Sequence, residues 1–431
     1  MRTVSTFRLC GSTYQTYTYP IPESQSHEVE LNRNLYPGYE ELQSPIYDSN
    51  DNTQVDLSSK NFIRTLDWSS DGSHFVSINE DFGVRCFIVP QDIVSNEDLS
   101  KLVPFSRYFN RYPILCHKLP DAFSIYDEQN PLNGSIALSS RNMPIRLIDL
   151  KSKSSILDIK YEEMADNSLG SIYSMEFTKG VSGSLLLGSN KKMGIFNLEY
   201  KKLTRSINFK QLSILSTLTA SSFDPNLVFA GSYNSSICVA DIRTGNSVFQ
   251  KPTRLEGSGI YQLLETEGSK YLFAVSRKSN KIKLLDIRKG MDELLTFNWT
   301  EDMAFSPNCV LTNQKLYGDL SPEKRKLIIG NSIGEIKIFD SVDGSSSTGF
   351  KSSTNTSISN IKMNPLPGAN LAIVSHGSRS DGDDSPNVSK NLCNDGDSLG
   401  DTTGTAPSST SIEPTDFFGS VGIEIYDGID L

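Results

Sequence analysis

Six cations sit in short polar turns that recur along the chain at nearly regular intervals. The turns read SSRNMP, GSNKKMG and VSRKSNK, and they carry Arg141, Asn142, Lys191, Lys192, Arg277, Lys278 and Lys281. A neutral turn between them, GSYNSS, brings Tyr233 and Asn234, and two further turns read INEDFG and GNSIGE. Lysines and arginines with an aromatic among them can hold a phosphate backbone and stack a base, provided the fold gathers the turns on one surface. The same turns fit a second reading, in which lysines collect on solvated hairpins for solubility. A separate stretch, SRYFNRYP, lies in the long connecting loop 91–123 and interleaves Arg107, Tyr108, Phe109, Arg111 and Tyr112. Cations between rings could contact bases or a protein partner, and rings of this kind also serve to pack against a domain wall.

Catalytic patterns are missing. The chain contains no GxxxxGK[ST], no GxGxxG after a strand, no HExxH and no GxSxG. Its four histidines, His27, His74, His117 and His376, are far apart, and the neighbouring pair Cys116–His117 cannot make a four-ligand site alone. The reading is therefore non-enzymatic, with no cofactor, no metal and no small-molecule substrate. A hydrolase built in a central channel is a third class, and a channel lined only by apolar and backbone groups would dispose of it.

Charge narrows the classes. The formal net charge of −10 excludes a protein held to nucleic acid by bulk positive charge. Much of that acidity is local. Residues 377–416 carry Asp381, Asp383, Asp384, Asp395, Asp397, Asp401, Glu413 and Asp416 against only Arg379 and Lys390. The tract is low in complexity and reads as a disordered acidic insert. The opening MRTVSTFRLCGSTYQTYTYP lacks the apolar run of a secretory signal, and no apolar stretch reaches membrane-spanning length. The six cysteines are scattered without a CxxC pair, which points to a reducing compartment, cytosol or nucleus.

The turns are positioned by a repeated strand. IRLIDLKS, MGIFNLEY, ICVADIRTG, IKLLDIRKG, IKIFDSVDG and IEIYDGID each end an apolar run on Asp or Asn: Asp149, Asn197, Asp241, Asp286, Asp340 and Asp427. The intervals are 48, 44, 45, 54 and 87 residues, and the last contains the acidic tract. A four-stranded propeller blade repeats at roughly 40–45 residues. Upstream of each such strand comes another apolar run and, before that, an alternating one. Seven units emerge: 62–90, 124–152, 172–201, 214–246, 259–290, 308–344, and 358–376 joined to 417–431. Strands apolar on both sides are what blades packed face to face require. The Asp or Asn can end the strand by bonding its own turn. Helix is left only for a short piece around Asp92–Lys101.

The expected fold is all-β, a seven-bladed WD-repeat-like β-propeller with degenerate repeats. The Trp usual before the closing Asp is replaced by Ile148, Phe196, Ala240, Leu285, Phe339 and Tyr426. Such blades must rely on packing. Only Gly428 to Leu431 follow the last repeated strand, too few for a fourth. The N-terminal segment, 1–20, is the free candidate to supply it and close the ring. Residues 21–61 read as a linker or strap, 62–376 as the blades up to the start of the seventh, and 417–431 as its end.

Three stretches carry a resemblance. NFIRTLDWSSDGS (61–73), SSRNMPIRLIDL (139–150) and FAGSYNSSICVAD (229–241) resemble blades of the telomerase Cajal body protein family of WD-repeat proteins, and the likeness spans roughly 61–345. The short N-terminus, the absence of a proline-rich extension and the lost Trp residues place it nearer the family's small fungal, splicing-associated type. The resemblance implies a nuclear protein, with some presence in the cytoplasm open. It would act in pre-mRNA splicing or small nuclear ribonucleoprotein assembly, with small nuclear RNA or spliceosomal proteins as partners, and be monomeric within a larger complex. Matched residue by residue, it nominates Arg141, Asn142 and Pro144, which lie in the cationic turns reached independently. The alternative is a protein-only scaffold without RNA contact.

Overall fold

A computed structural model describes residues 8–13, 62–161, 169–179, 183–251, 257–279, 281–298, 314–351, 356–366, 368–377 and 422–427. The proposed strap, 21–61, and all of the acidic tract but Gly377 lie outside them. The described residues form seven small sheets, antiparallel but for one added parallel strand, arranged as a seven-bladed propeller. The only helical pieces among them are 3-10 turns of three residues at Glu267–Ser269 and Ile287–Lys289.

Six of the blades lay their four strands down in sequence order from the axis outward. Blade three, for example, runs Ser174–Phe177, Ser184–Gly188, Lys192–Asn197 and Lys202–Asn208. The inner strands of the other blades are Ile63–Trp68, Ile114–Lys118, Leu215–Ala220, Ser258–Glu265, Asp319–Leu320 and Ile358–Met363. Hydrogen bonds pass from one inner strand to the next around the whole ring. Arg64 Nη1 donates to Ile114 O, Lys118 Nζ to Glu176, Ser174 Oγ to Leu215 O and Thr219 Oγ1 to Leu263 O. Gln262 Nε2 donates to Gly318 O, Tyr317 N to Ser359 O, and Asn360 Nδ2 closes the circuit on Arg64 O.

The core is divided among the blade interfaces. Leu186, Met193 and Ile195 of blade three pack with Val228, Ala230 and Cys238 of blade four, and each of the other interfaces has its own cluster. This is why strands such as His74–Asn79 and Ser135–Ser140 are buried at every residue. A core side chain of this size stabilises by about 1.5–3 kcal/mol when removed from water. The residues ending the third strands do what their chemistry allows. Asp149, Asp241, Asp286 and Asp340 accept from the backbone N–H two residues on, and Asn197 from that of Tyr200. The Asp-Gly turn of blade one places Gly72 at φ +63°, where an added Cβ would collide with the Asn364 side chain of blade seven.

The N-terminal strand Arg8–Ser12 pairs antiparallel with Gly422–Asp427 and supplies the fourth strand of blade seven. Cys10 joins Ile63, Phe75, Ile373 and Ile425 in the core between blades seven and one.

Two expectations need correction. The piece around Asp92–Lys101 is not helical: its end, Ser100–Lys101, pairs parallel with the N-terminal strand. The connection 91–123 is not a loop either. It supplies the outer strand of blade one, Pro104–Phe109, and the inner strand of blade two, which begins at Ile114 rather than 124. The sequence ILCHK hid this strand because its last four residues are only half buried and it carries His117 and Lys118 toward the channel, so its apolar periodicity is weak.

Candidate functional site

Because every inner strand runs the same way along the axis, the turns between second and third strands all emerge on one face. The connections from each outer strand to the next blade emerge there too. The expected turn residues therefore share a surface, and blades two to five, which carry the cations, are consecutive around the ring.

Arg141 and Asn142 are exposed at the tip of blade two. Asn142, at φ 54°, is held by Ser171 of the next connection: Ser171 Oγ donates to its Oδ1 at 3.0 Å. Lys191 is exposed at φ 60°, and Lys192 is half buried where the third strand of blade three begins. The connection 209–214 braces blades three and four. Ser213 O accepts from Lys191 N, Ile214 O from Tyr233 N, and Gln211 O from Asn234 Nδ2 at 2.9 Å. Tyr233 meets Arg277 of blade five. The guanidinium lies 5.0 Å from the ring centroid, and Arg277 Nη2 donates to the phenol oxygen at 3.0 Å. Lys278, at φ 50°, is exposed beside them, and Lys281 is half buried. An aromatic covered by a planar cation, in a rim of lysines, can offer a stacking surface together with charge for phosphate.

Carboxylates occupy the neighbouring sector. Glu80 and Asp81 lie in the turn of blade one and Glu335 in that of blade six. Asp81 is committed to the buried Arg85, Glu80 faces Arg64 at 3.5 Å, and Glu335 faces Lys337 at 3.6 Å. The turns between second and third strands of blades two to five thus carry cations and no carboxylate, whereas each carboxylate in those of blades six and one is paired with a cation.

The aromatic and basic stretch divides. Arg107, Tyr108 and Phe109 belong to the outer strand of blade one, not to a loop. Tyr108 accepts from Arg146 Nη1 of blade two at 3.0 Å, and Phe109 lies under Arg85 at 5.3 Å, so these rings pack the blade wall. Arg111 and Tyr112 are exposed in the connection to blade two, with the guanidinium 5.7 Å from the ring, on the cationic face. Sequence reasoning missed the exposed Lys210, and also Arg64 and Lys315, because it followed only the turns between second and third strands. Cations just before an inner strand or at its start were the signal available.

The central channel encloses about 280 Å3. Toward the opposite face it holds paired charges. His117 Nε2 lies 2.9 Å from Asp67 Oδ2, Lys362 Nζ 3.6 Å from Asp67 Oδ1, and Lys118 Nζ 2.9 Å from Glu176. Burial alone would raise the Asp67 pKa, but the His117 hydrogen bond and the Lys362 charge outweigh it and hold it at about 2. Burial pushes the Glu176 and Asp319 carboxyls up from their ordinary range. His117 Nε2 is also 3.3 Å from Thr65 Oγ1, so the imidazole braces the inner strands of blades one and two. The channel is not the apolar tube that would have removed the hydrolase reading. Among the described residues, no three of His, Cys, Asp and Glu are grouped to hold a metal ion. Also among them, no helix is long and apolar enough to cross a membrane.

No family model matches the chain. It is 25% identical over 301 residues to Protein SWT21 of Candida glabrata, covering 65% of this chain and 69% of that one. It is 27% identical over 306 residues to Protein SWT21 of Vanderwaltozyma polyspora, covering 65% and 67%. The same-named protein of Saccharomyces cerevisiae matches at 26% over 255 residues, covering 55% and 70%. In sequence, then, this propeller is similar to the fungal proteins named SWT21.

Proposed function

We propose that this propeller is a non-enzymatic docking protein that holds RNA on the cationic face of blades two to five. It would do so in pre-mRNA splicing or small nuclear ribonucleoprotein assembly in the nucleus. The observation that carries the reading is the union, on one surface, of Arg141, Lys191, Lys192, Lys278 and Lys281 with the Arg277–Tyr233 stack. In this reading the lysines, Arg141 and Arg277 neutralise phosphates, and the Tyr233 ring beside Arg277 receives a base. The propeller architecture and the likeness to the SWT21 proteins fit a scaffold. The splicing assignment is supported by the resemblance of 61–73, 139–150 and 229–241 to the Cajal body protein family. Crosslinking followed by sequencing from nuclear extract tests it. Small nuclear RNA should be recovered with the wild type and lost with Arg141→Glu, Arg277→Glu and Lys278→Glu combined, with folding intact. Unchanged recovery removes the site.

A protein-only scaffold is favoured by one different observation. On the opposite face Phe223 is 76% exposed and Val342 73%, in turns of blades four and six. Apolar side chains so exposed suit a protein partner. Background RNA recovery, together with loss of a co-purifying protein in Phe223→Asp, would select that reading.

A further inference from the structure

Among the described residues, two aromatic side chains stand exposed on the cationic face, Tyr112 at 39% and Tyr233 at 37%. The other exposed apolar side chains, Phe223 and Val342 among them, lie on outer strands or toward the opposite face. The two tyrosines are built alike. The Arg277 guanidinium lies 5.0 Å from the Tyr233 ring centroid, and that of Arg111 lies 5.7 Å from the Tyr112 centroid. Both are also held from behind. Asn110, only 4% exposed, donates from Nδ2 to Tyr112 O at 2.7 Å and to Ser140 Oγ at 2.8 Å, and its backbone N–H donates to Phe82 O. Pro113 then fixes the next φ. Tyr233 N donates to Ile214 O, and the ring lies against Gly259, where an added Cβ would come 2.8 Å from Cδ1. Rings presented on a braced backbone need little ordering when a base stacks on them.

Cations fill the sector between the rings. Ser140, which accepts from Asn110, is followed by the exposed Arg141, so Tyr112 borders the turn of blade two. Phe209 N donates to Lys191 O, which sets the exposed Lys210 beside the exposed Lys191 in the next sector. The same connection then reaches Tyr233 through Ile214. The order around the ring is thus an aromatic, a run of cations, and a second aromatic. A duplex has little to offer such a surface beyond its phosphates, because its bases are stacked inside and its major groove is deep and narrow. An unpaired strand can splay its bases onto both rings while its phosphates meet the cations between. We propose that the partner of this face is a single-stranded RNA segment that stacks one base on Tyr112 and another on Tyr233, with the intervening phosphates on Arg141, Lys191 and Lys210. The inference rests on the RNA reading of the face and adds a second stacking station and the class of RNA it selects.

The test is fluorescence anisotropy on the full chain with three labelled probes of equal length, about twelve nucleotides: oligouridine, an abasic strand that keeps the phosphates and lacks the bases, and a uridine–adenosine duplex. Wild type should bind oligouridine roughly a hundred-fold tighter than the abasic strand, at about ten-fold for each stacked base. Tyr112→Ala should weaken oligouridine roughly ten-fold and leave the abasic strand and the duplex unchanged, and Tyr112→Phe, which keeps the ring, should bind as wild type does. Tyr112→Ala combined with Tyr233→Ala should bring oligouridine down to the level of the abasic strand. Oligouridine bound equally by wild type and Tyr112→Ala overturns the second station and leaves the face standing. So does a Tyr112→Ala variant that weakens the abasic strand as much as the intact one. Failure of all three probes to bind wild type overturns the reading of the face, and this inference with it.

Discussion

Lys278 and Lys118 are the same residue type used in opposite ways. Lys278 stands exposed at the tip of a turn on the cationic face, while Lys118 lies in the channel, 2.9 Å from the carboxylate of Glu176. The contrast extends to their surroundings. The channel floor balances Lys118, Lys362 and His117 against Glu176, Asp67 and Asp319, whereas the turns between second and third strands of blades two to five carry cations without a carboxylate among them. Charges that answer one another inside a protein specify structure and are costly to separate. Exposed charges such as Arg141, Lys191 and Lys278 contribute little to folding and can meet a partner. The difference between the two regions is therefore testable: substitution in the first should cost stability, and in the second, ligand.

The largest expected effect is in the channel. Glu176→Ala leaves the Lys118 ammonium without its carboxylate and should lower unfolding free energy by about 3–5 kcal/mol in urea titration. A loss below about 1 kcal/mol would erase the distinction between floor and face. Next comes acid. His74 is fully buried on the opposite side of blade one, where its Nε2 accepts from Ile125 N at 3.2 Å and its Nδ1 bonds Ser73 Oγ at 2.9 Å. Burial disfavours the imidazolium and lowers its pKa to about 4, with Asp71 opposing only in part. Since the folded value lies below the unfolded 6.5, the contribution is intact above pH 6.5 and is lost as pH falls toward 4. The loss should reach about 3 kcal/mol in full, and His74→Gln should flatten that part of the profile.

Smaller effects belong to the face. Tyr233→Ala should weaken RNA binding by about 1–3 kcal/mol, the worth of a stacked base, while changing stability by less than about 1 kcal/mol through the lost cation–π contact. Smallest is Lys278→Ala, which should leave unfolding within about 0.5 kcal/mol of wild type and reduce the salt slope of binding by about 0.7. A Lys278→Ala variant that unfolds easily would place this residue with the channel lysines instead.

What could be read from the chain follows the same divide. The third strands were legible because blades press on both their sides and favour apolar runs ending on Asp or Asn, as in Ile237–Asp241 and, interrupted by Lys283, Ile282–Asp286. The closing strand was legible by counting, since Arg8–Ser12 belongs to none of the repeated units and pairs with Gly422–Asp427. The exposed cations were legible because turns are local. The channel was not. Its groups meet across long separations, as when Trp68 Nε1 donates to Lys362 O or Asp67 meets His117, and no local pattern marks such pairs. The inner strands face a polar cavity, so Ile114–Lys118 lacks the alternation that would have announced it. Arg107, Tyr108 and Phe109 read as a functional loop because rings between arginines look alike whether they serve a ligand or a wall. The bond from Arg146 and the packing of Tyr108 against the core between blades one and two assign that ring to the wall.

The central claim is that six cations, Arg141, Lys191, Lys192, Arg277, Lys278 and Lys281, act together as a phosphate-holding surface. The most direct measurement is the affinity for a single-stranded RNA as a function of salt. If all six engage, the logarithm of the binding constant should fall against that of salt concentration with a slope of roughly −4, and with about −2 after Arg141→Glu, Arg277→Glu and Lys278→Glu. A slope near zero, or one that the three reversals leave unchanged, would contradict the account.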